Sequence, residues 1–157
     1  MIENILVMTK IYLGADHRGY FLKEKITRWL LEWGYKYSDM GAESLDLNDD
    51  YTKYATEVAS MVKDTLFTCG ILLCGSGVGV DIMANKFDGI RAGIGLSADQ
   101  VKAAREDDDI NILVIAADYT SEAEAREMVK TFLETKFDKK ARHKRRIEDI
   151  SKIEANN

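Results

Sequence analysis

Five short apolar runs, each followed by a stretch of helical period, set the narrowest limit on what this chain can fold into. The runs are KIYLGA (10–15), YKYSDMG (35–41), CGILLCG (69–75), GIRAGIG (89–95) and INILVIAA (110–117). Their length and composition suit strands. Between them, YFLKEKITRWLLEWG (20–34) places Phe21, Leu22, Ile26, Trp29, Leu30 and Trp33 at helical spacing, with Gly34 as a stop. Residues 51–64 carry Tyr54, Ala55, Val58, Met61 and Val62 on one face. Helices are also expected over about 78–87, over 97–107 with Ser97 as N-cap, and over 121–136, where Ser121 and Glu124 have capping-box spacing. A charged amphipathic helix is expected from about residue 141. Such alternation predicts an α/β chain: a three-layer α/β/α Rossmann-like sandwich around a five-stranded parallel sheet.

The 157 residues suffice for one domain with a substantial core. We divide them into an N-terminal extension (1–8), the sandwich (9–140) and the C-terminal helix (141–157). Met8 is an alternative start. A net charge of −5 argues against a nucleic-acid partner. No apolar stretch reaches the roughly 18 residues of a membrane span, and MIENILVM lacks the basic start of a signal peptide. The two cysteines, Cys69 and Cys74, are five apart in one strand, so they point to opposite faces and are not expected to pair. A cytoplasmic location is expected. The chain has no proline, so its turns rely on Gly, Asn and Asp.

Ligands of such folds sit beyond the carboxyl ends of strands. The first such end is GADHRGY (14–20), where Asp16 and His17 precede a helix. Asp16 there is either an N-cap beside an exposed histidine or half of an acid–base pair over a cleft. The third end is CGSGVG (74–79). It lacks the Gly-Lys-Ser/Thr ending of a P-loop, and it follows the third strand instead of the first, so it is a weak dinucleotide fingerprint. Physically it offers backbone N–H groups with no side chains in the way, suited to a phosphate, a carboxylate or a developing oxyanion. A helix start also favours thiolate over thiol. Cys74 therefore reads as a nucleophile, a redox centre, a proton-transfer base or packing; the packing reading fits Cys69 better.

AREDDDIN (104–111) gathers four acids near a helix end, where the helix dipole disfavours them. Solvated loop acids are the ordinary reading, although one of Asp107, Asp108 and Asp109 can face a cleft. Consecutive carboxylates rarely converge on one cation, so no metal is expected. In RHKRR (142–146), Arg142, Arg145 and Arg146 share a helical face. That is either a solvated basic face or a phosphate site built from forked guanidinium contacts.

GADHRGY, GILLCGSGVGVDIMANKFDGIRA and RHKRRIEDISKIE together resemble the ribose-5-phosphate isomerase B family, which includes galactose-6-phosphate isomerase subunits. The likeness runs from Thr9 nearly to the end. It implies an aldose–ketose isomerase of a small sugar phosphate, in the pentose phosphate pathway, working through an enediolate without cofactor or metal. It implies a homodimer, or a tetramer built from it, with sites at the subunit interface and the C-terminal helix on the partner. By that resemblance Cys74 is the base between C1 and C2, and Ser76 assists the proton on the sugar oxygens. The amides of Gly75, Gly77, Val78 and Gly79 cradle the enediolate. Asp16, His17, Tyr51 and Asn111 contact substrate, and Arg142, His143 and Arg146 take the phosphate.

Three positions depart from the family. Asp107 stands where the family has the histidine that opens the furanose ring, so Asp107, His17 or a substrate already open must serve. A carboxyl is a poor acid near neutrality unless neighbouring charges alter it. Asp118 stands where many members have a phosphate-holding arginine, and Thr52 where proline is usual. These changes suit a different or unphosphorylated sugar; a catalytically silent sugar-phosphate-binding protein is the remaining alternative.

Overall fold

The computed structural model describes residues 10–157, so the extension expected over 1–8 lies outside it. The strands are β1 (Lys10–Ala15), β2 (Lys36–Asp39), β3 (Thr68–Cys74), β4 (Ala92–Ile94) and β5 (Ile112–Ala116). The helices are α1 (Tyr20–Glu32), α2 (Tyr51–Asp64), α3 (Val78–Ala84), α4 (Ala98–Asp108), α5 (Glu122–Glu134) and α6 (Ala141–Ala155). All five strands are parallel, in the order β2-β1-β3-β5-β4.

Strand alternation sorts the core into two layers. Ile11, Leu13, Ile71, Leu73, Leu113 and Ile115 face Ile26 and Leu30 of α1, Val101 of α4 and Val129 and Phe132 of α5. Tyr12, Leu72, Ile112 and Val114 face Val58 and Val62 of α2 and Val80 of α3. Each large aliphatic side chain removed from water here contributes roughly 1.5–3 kcal/mol. No helix among the described residues is long and apolar enough to cross a membrane.

The expected elements differ from the observed ones at their ends. β4 is only three residues long, because Gly89 turns at φ +80° and the Arg91 amide is taken by the Asn111 side chain. α3 stops at Ala84 because Asn85 folds its side chain onto Asp81 and Ala92. On α1, Phe21 is exposed while Lys23 is fully buried. Lys23 reaches Asp39 at the end of β2 and Glu24, and although burial opposes its charge, those carboxylates raise its pKa on balance.

The connections place the site. From β1 the chain crosses by α1 to β2 on one side; from β3 it crosses by α3 towards β4 on the other. The crevice between the carboxyl ends of β1 and β3 is therefore the topological switch point, where doubly wound sheets bind ligands.

Candidate active site

Two loops wall this crevice. The β1 loop is anchored by Asp16, whose amide donates to Leu73 O at 3.3 Å. Its buried carboxylate accepts from the Arg18 and Gly19 amides at 3.0 and 3.2 Å. Asp16 thus caps its own turn; the N-cap of α1 is Gly19.

The β3 loop depends on its glycines. Gly77, the N-cap of α3, has φ +77°, which a side chain would strain. A Cβ on Gly79 would lie 2.7 Å from the Tyr51 ring, and one on Gly75 would lie 2.5 Å from the Arg18 guanidinium. A side chain at Gly75 would have to displace the Arg18 guanidinium, and one at Gly79 the Tyr51 ring. The Ser76 hydroxyl accepts from the Val78 amide at 3.3 Å. Cys74 is buried at the base of this loop with its thiol free. Cys69 lies in the other core layer, where burial pushes its thiol up to about 12 against the pull of Arg105.

Two neighbours of these loops were not singled out from sequence. Asp49 accepts from the His17 amide at 3.0 Å and lies 2.8 Å from His17 Nδ1. That hydrogen bond raises the His17 pKa against partial desolvation, with Asp16 assisting and Arg18 opposing. Arg18 itself pairs with Asp118, just beyond β5.

The remaining candidates lie elsewhere. Asn111 precedes β5 and its side chain is committed: Oδ1 accepts from the Arg91 amide and Nδ2 donates to Gly89 O, each at 2.8 Å. Asp107 sits in the last turn of α4, 3.6 Å from Nε2 of the buried His143. That nitrogen accepts from Arg142 Nε at 3.1 Å, while Nδ1 lies 2.8 Å from Asp138. Burial pushes Asp138 upward, but bonds from the Lys140 amide, the His143 ring and the Lys140 side chain hold its carboxyl well below the usual range. Asp107, Asp138 and His143 have metal-ligand spacing, yet the Arg142 guanidinium fills the His143 nitrogen that a cation would need. Arg146 is exposed one turn further on.

The candidates therefore form two groups at opposite ends of one sheet. Cys74, Ser76, the loop glycines, Val78, Asp16, His17 and Tyr51 stand at the carboxyl ends of strands. Asp107, Asn111, Arg142, His143 and Arg146 stand near the amino end of β5. Five residues of extended β5 separate those ends, about 16 Å.

A buried thiol, a histidine held by a carboxylate and a glycine loop thus meet at the switch point of a doubly wound sheet, the arrangement of an α/β enzyme. The Ribose/Galactose Isomerase family model matches residues 11–150. Ribose-5-phosphate isomerase B of Mycobacterium tuberculosis is 36% identical over 145 residues, covering 92% of this chain and 90% of that protein. The Escherichia coli protein of the same name is 37% identical over 147 residues, covering 94% and 97%. A crystal structure of the Mycoplasma genitalium ribose-5-phosphate isomerase B with bound ribulose-5-phosphate aligns with a TM-score of 0.90 at 34% identity, covering 95% and 98%. The chain belongs to the ribose/galactose isomerase family, and it is an aldose–ketose isomerase.

Proposed function

We propose that the protein interconverts ribose 5-phosphate and ribulose 5-phosphate, at sites each shared by two copies of the chain. The single observation that carries this reading is the division of the candidate residues between the two ends of the sheet. One chain cannot bring Arg142 and Arg146 to Cys74; a two-fold pair of chains can, since each end then meets its complement. Val78 and Ile82 of α3 and Leu96 beyond β4 are exposed apolar side chains, as a face between copies requires. The homodimer is the smallest such assembly.

In this reading the Cys74 thiolate takes the proton from C2 of the open aldose. The C–H electrons form the C1–C2 double bond, and the carbonyl oxygen gains the negative charge. The loop amides at Gly75, Gly77 and Gly79 hold that oxygen, joined by Val78 once Ser76 turns to the substrate. Ser76 passes the proton between the two sugar oxygens, and Cys74 returns its proton to C1. One such amide or side-chain donor is worth about 2.7–4 kcal/mol, and the base about 10²–10⁴-fold. Asp16 and Tyr51 line the crevice, and the partner's α6 supplies the phosphate cations.

A second reading is favoured by one observation, the pairing of Arg18 with Asp118. It removes a cation from the mouth and suits an unphosphorylated or differently phosphorylated sugar.

Exchange of the C2 proton with solvent deuterium, followed by NMR, tests the first reading. Rapid exchange into ribose 5-phosphate, inhibited by millimolar inorganic phosphate, is the expected result. Exchange confined to unphosphorylated sugars gives the second reading, and exchange into no sugar overturns both.

A further inference from the structure

Asp49 lies outside every motif, yet it holds His17 by both the backbone and the ring. Its side chain is only 6% exposed. Its second oxygen, Oδ2, is buried without a hydrogen-bond partner among the described residues. A buried carboxylate with one oxygen unsatisfied needs a cation in contact with the other. No lysine or arginine is paired with it among the described residues, and the group in place is the His17 imidazole. With Nδ1 engaged, Nε2 is the ring nitrogen left to meet a ligand, and the ring remains partly open to solvent. This is the arrangement by which a carboxylate orients a histidine for proton transfer.

We propose that Asp49 is a positioning residue that fixes His17 as an imidazolium, and that His17 Nε2–H is the acid that opens the furanose ring of the substrate. The inference rests on the isomerase reading and adds a step to it. His17 gives its Nε2 proton to the ring oxygen as the C1–O4 bond breaks. The C1–O1 bond becomes the carbonyl, the O1 hydroxyl proton leaves to water, and His17 recovers a proton from water, so no net proton is consumed. Asp107 is held differently: it faces His143 and Arg142, on the end of the sheet that a second copy would bring to the site. The charged groups around His17 are Asp49 ahead of α2, Asp16 and Arg18 of its own loop, and Asp118 after β5 through Arg18. Tyr54 of α2 packs behind, its hydroxyl pKa raised by burial and by Asp49.

The test exploits sugar chemistry. Ribulose 5-phosphate has its fifth oxygen esterified and stays open-chain, whereas ribose 5-phosphate is mostly a furanose. In Asp49→Asn the rate from ribose 5-phosphate should fall at least tenfold more than C1 proton exchange into ribulose 5-phosphate. Asp49→Glu should recover part of the loss. With only two histidines, the His17 ring is readily followed by NMR, and its titration midpoint should fall in Asp49→Asn. Equal losses on both sugars, or an unmoved titration, overturn the proposal. Should Asp49→Asn fail to fold, His17→Gln replaces it in the rate comparison: a larger loss on ribose 5-phosphate supports the proposal, and equal losses overturn it. If the wild-type chain acts on neither sugar, the isomerase reading falls first.

Discussion

Cys69 and Cys74 lie five residues apart on β3 and are buried against opposite helical layers. Both thiols sit in core layers, and Cys74 also ends the strand at the crevice. Cys74→Ala should cut proton exchange by 10²–10⁴-fold with the fold intact. Cys69→Ala should keep full turnover and cost about 0.5–3 kcal/mol in urea unfolding. Retained exchange in Cys74→Ala removes the thiol from the mechanism.

The glycine loop makes a second test. Gly77→Ala places a side chain at φ +77°, at a cost of about 1–2 kcal/mol. Gly79→Ala sets a methyl group against the Tyr51 ring. Each should displace the amide cradle and lower kcat roughly 10²–10³-fold with a smaller change in KM. A change confined to KM contradicts the oxyanion role.

Asp118 neutralises Arg18 over the loop. Asp118→Asn should free that cation and lower the inhibition constant of inorganic phosphate several-fold. Thermal stability should hardly change, because exposed ion pairs contribute about 0–1 kcal/mol. Unchanged phosphate inhibition would mean that Arg18 does not see the phosphate.

The anchor of α6 predicts an acid response. The Asp138 pKa is lower in the folded chain than in the unfolded one, so its contribution is present above the unfolded value and lost as pH falls through the folded one. His17 has the opposite sign: its raised pKa stabilises below the unfolded value, and that contribution disappears as pH rises through the folded value. Asp138→Asn should flatten the stability curve below about pH 4. Asp49→Asn should flatten it above about pH 6.5. Unfolding midpoints across pH, by circular dichroism, check both.

Much of this architecture was legible in the sequence because it is local. β1 and α2 fall on the bounds that periodicity gives. Ser97 caps α4 through the Gln100 amide, and Ser121 and Glu124 form the capping box. Strand order was not legible: β5 inserts between β3 and β4, and parallel crossovers leave no mark of which strands become neighbours. Burial of Lys23 on α1 was not read from the sequence, because its partner Asp39 is sixteen residues away. Asp49 gave less: it lies in an aperiodic loop and meets His17 across thirty-two residues. The glycine motif marked the loop that lies at the switch point, while the division of the other residues between the two sheet ends emerged only with the topology.

That division supports the central claim, a site completed by a second copy. Cys74→Ala and the double variant Arg142→Ala/Arg146→Ala should each be inactive. Refolding them together at equal concentration makes mixed dimers with one intact site, so turnover should return to about a quarter of the wild-type rate. No recovery, with mixed dimers shown to form by mass spectrometry, would contradict the shared site.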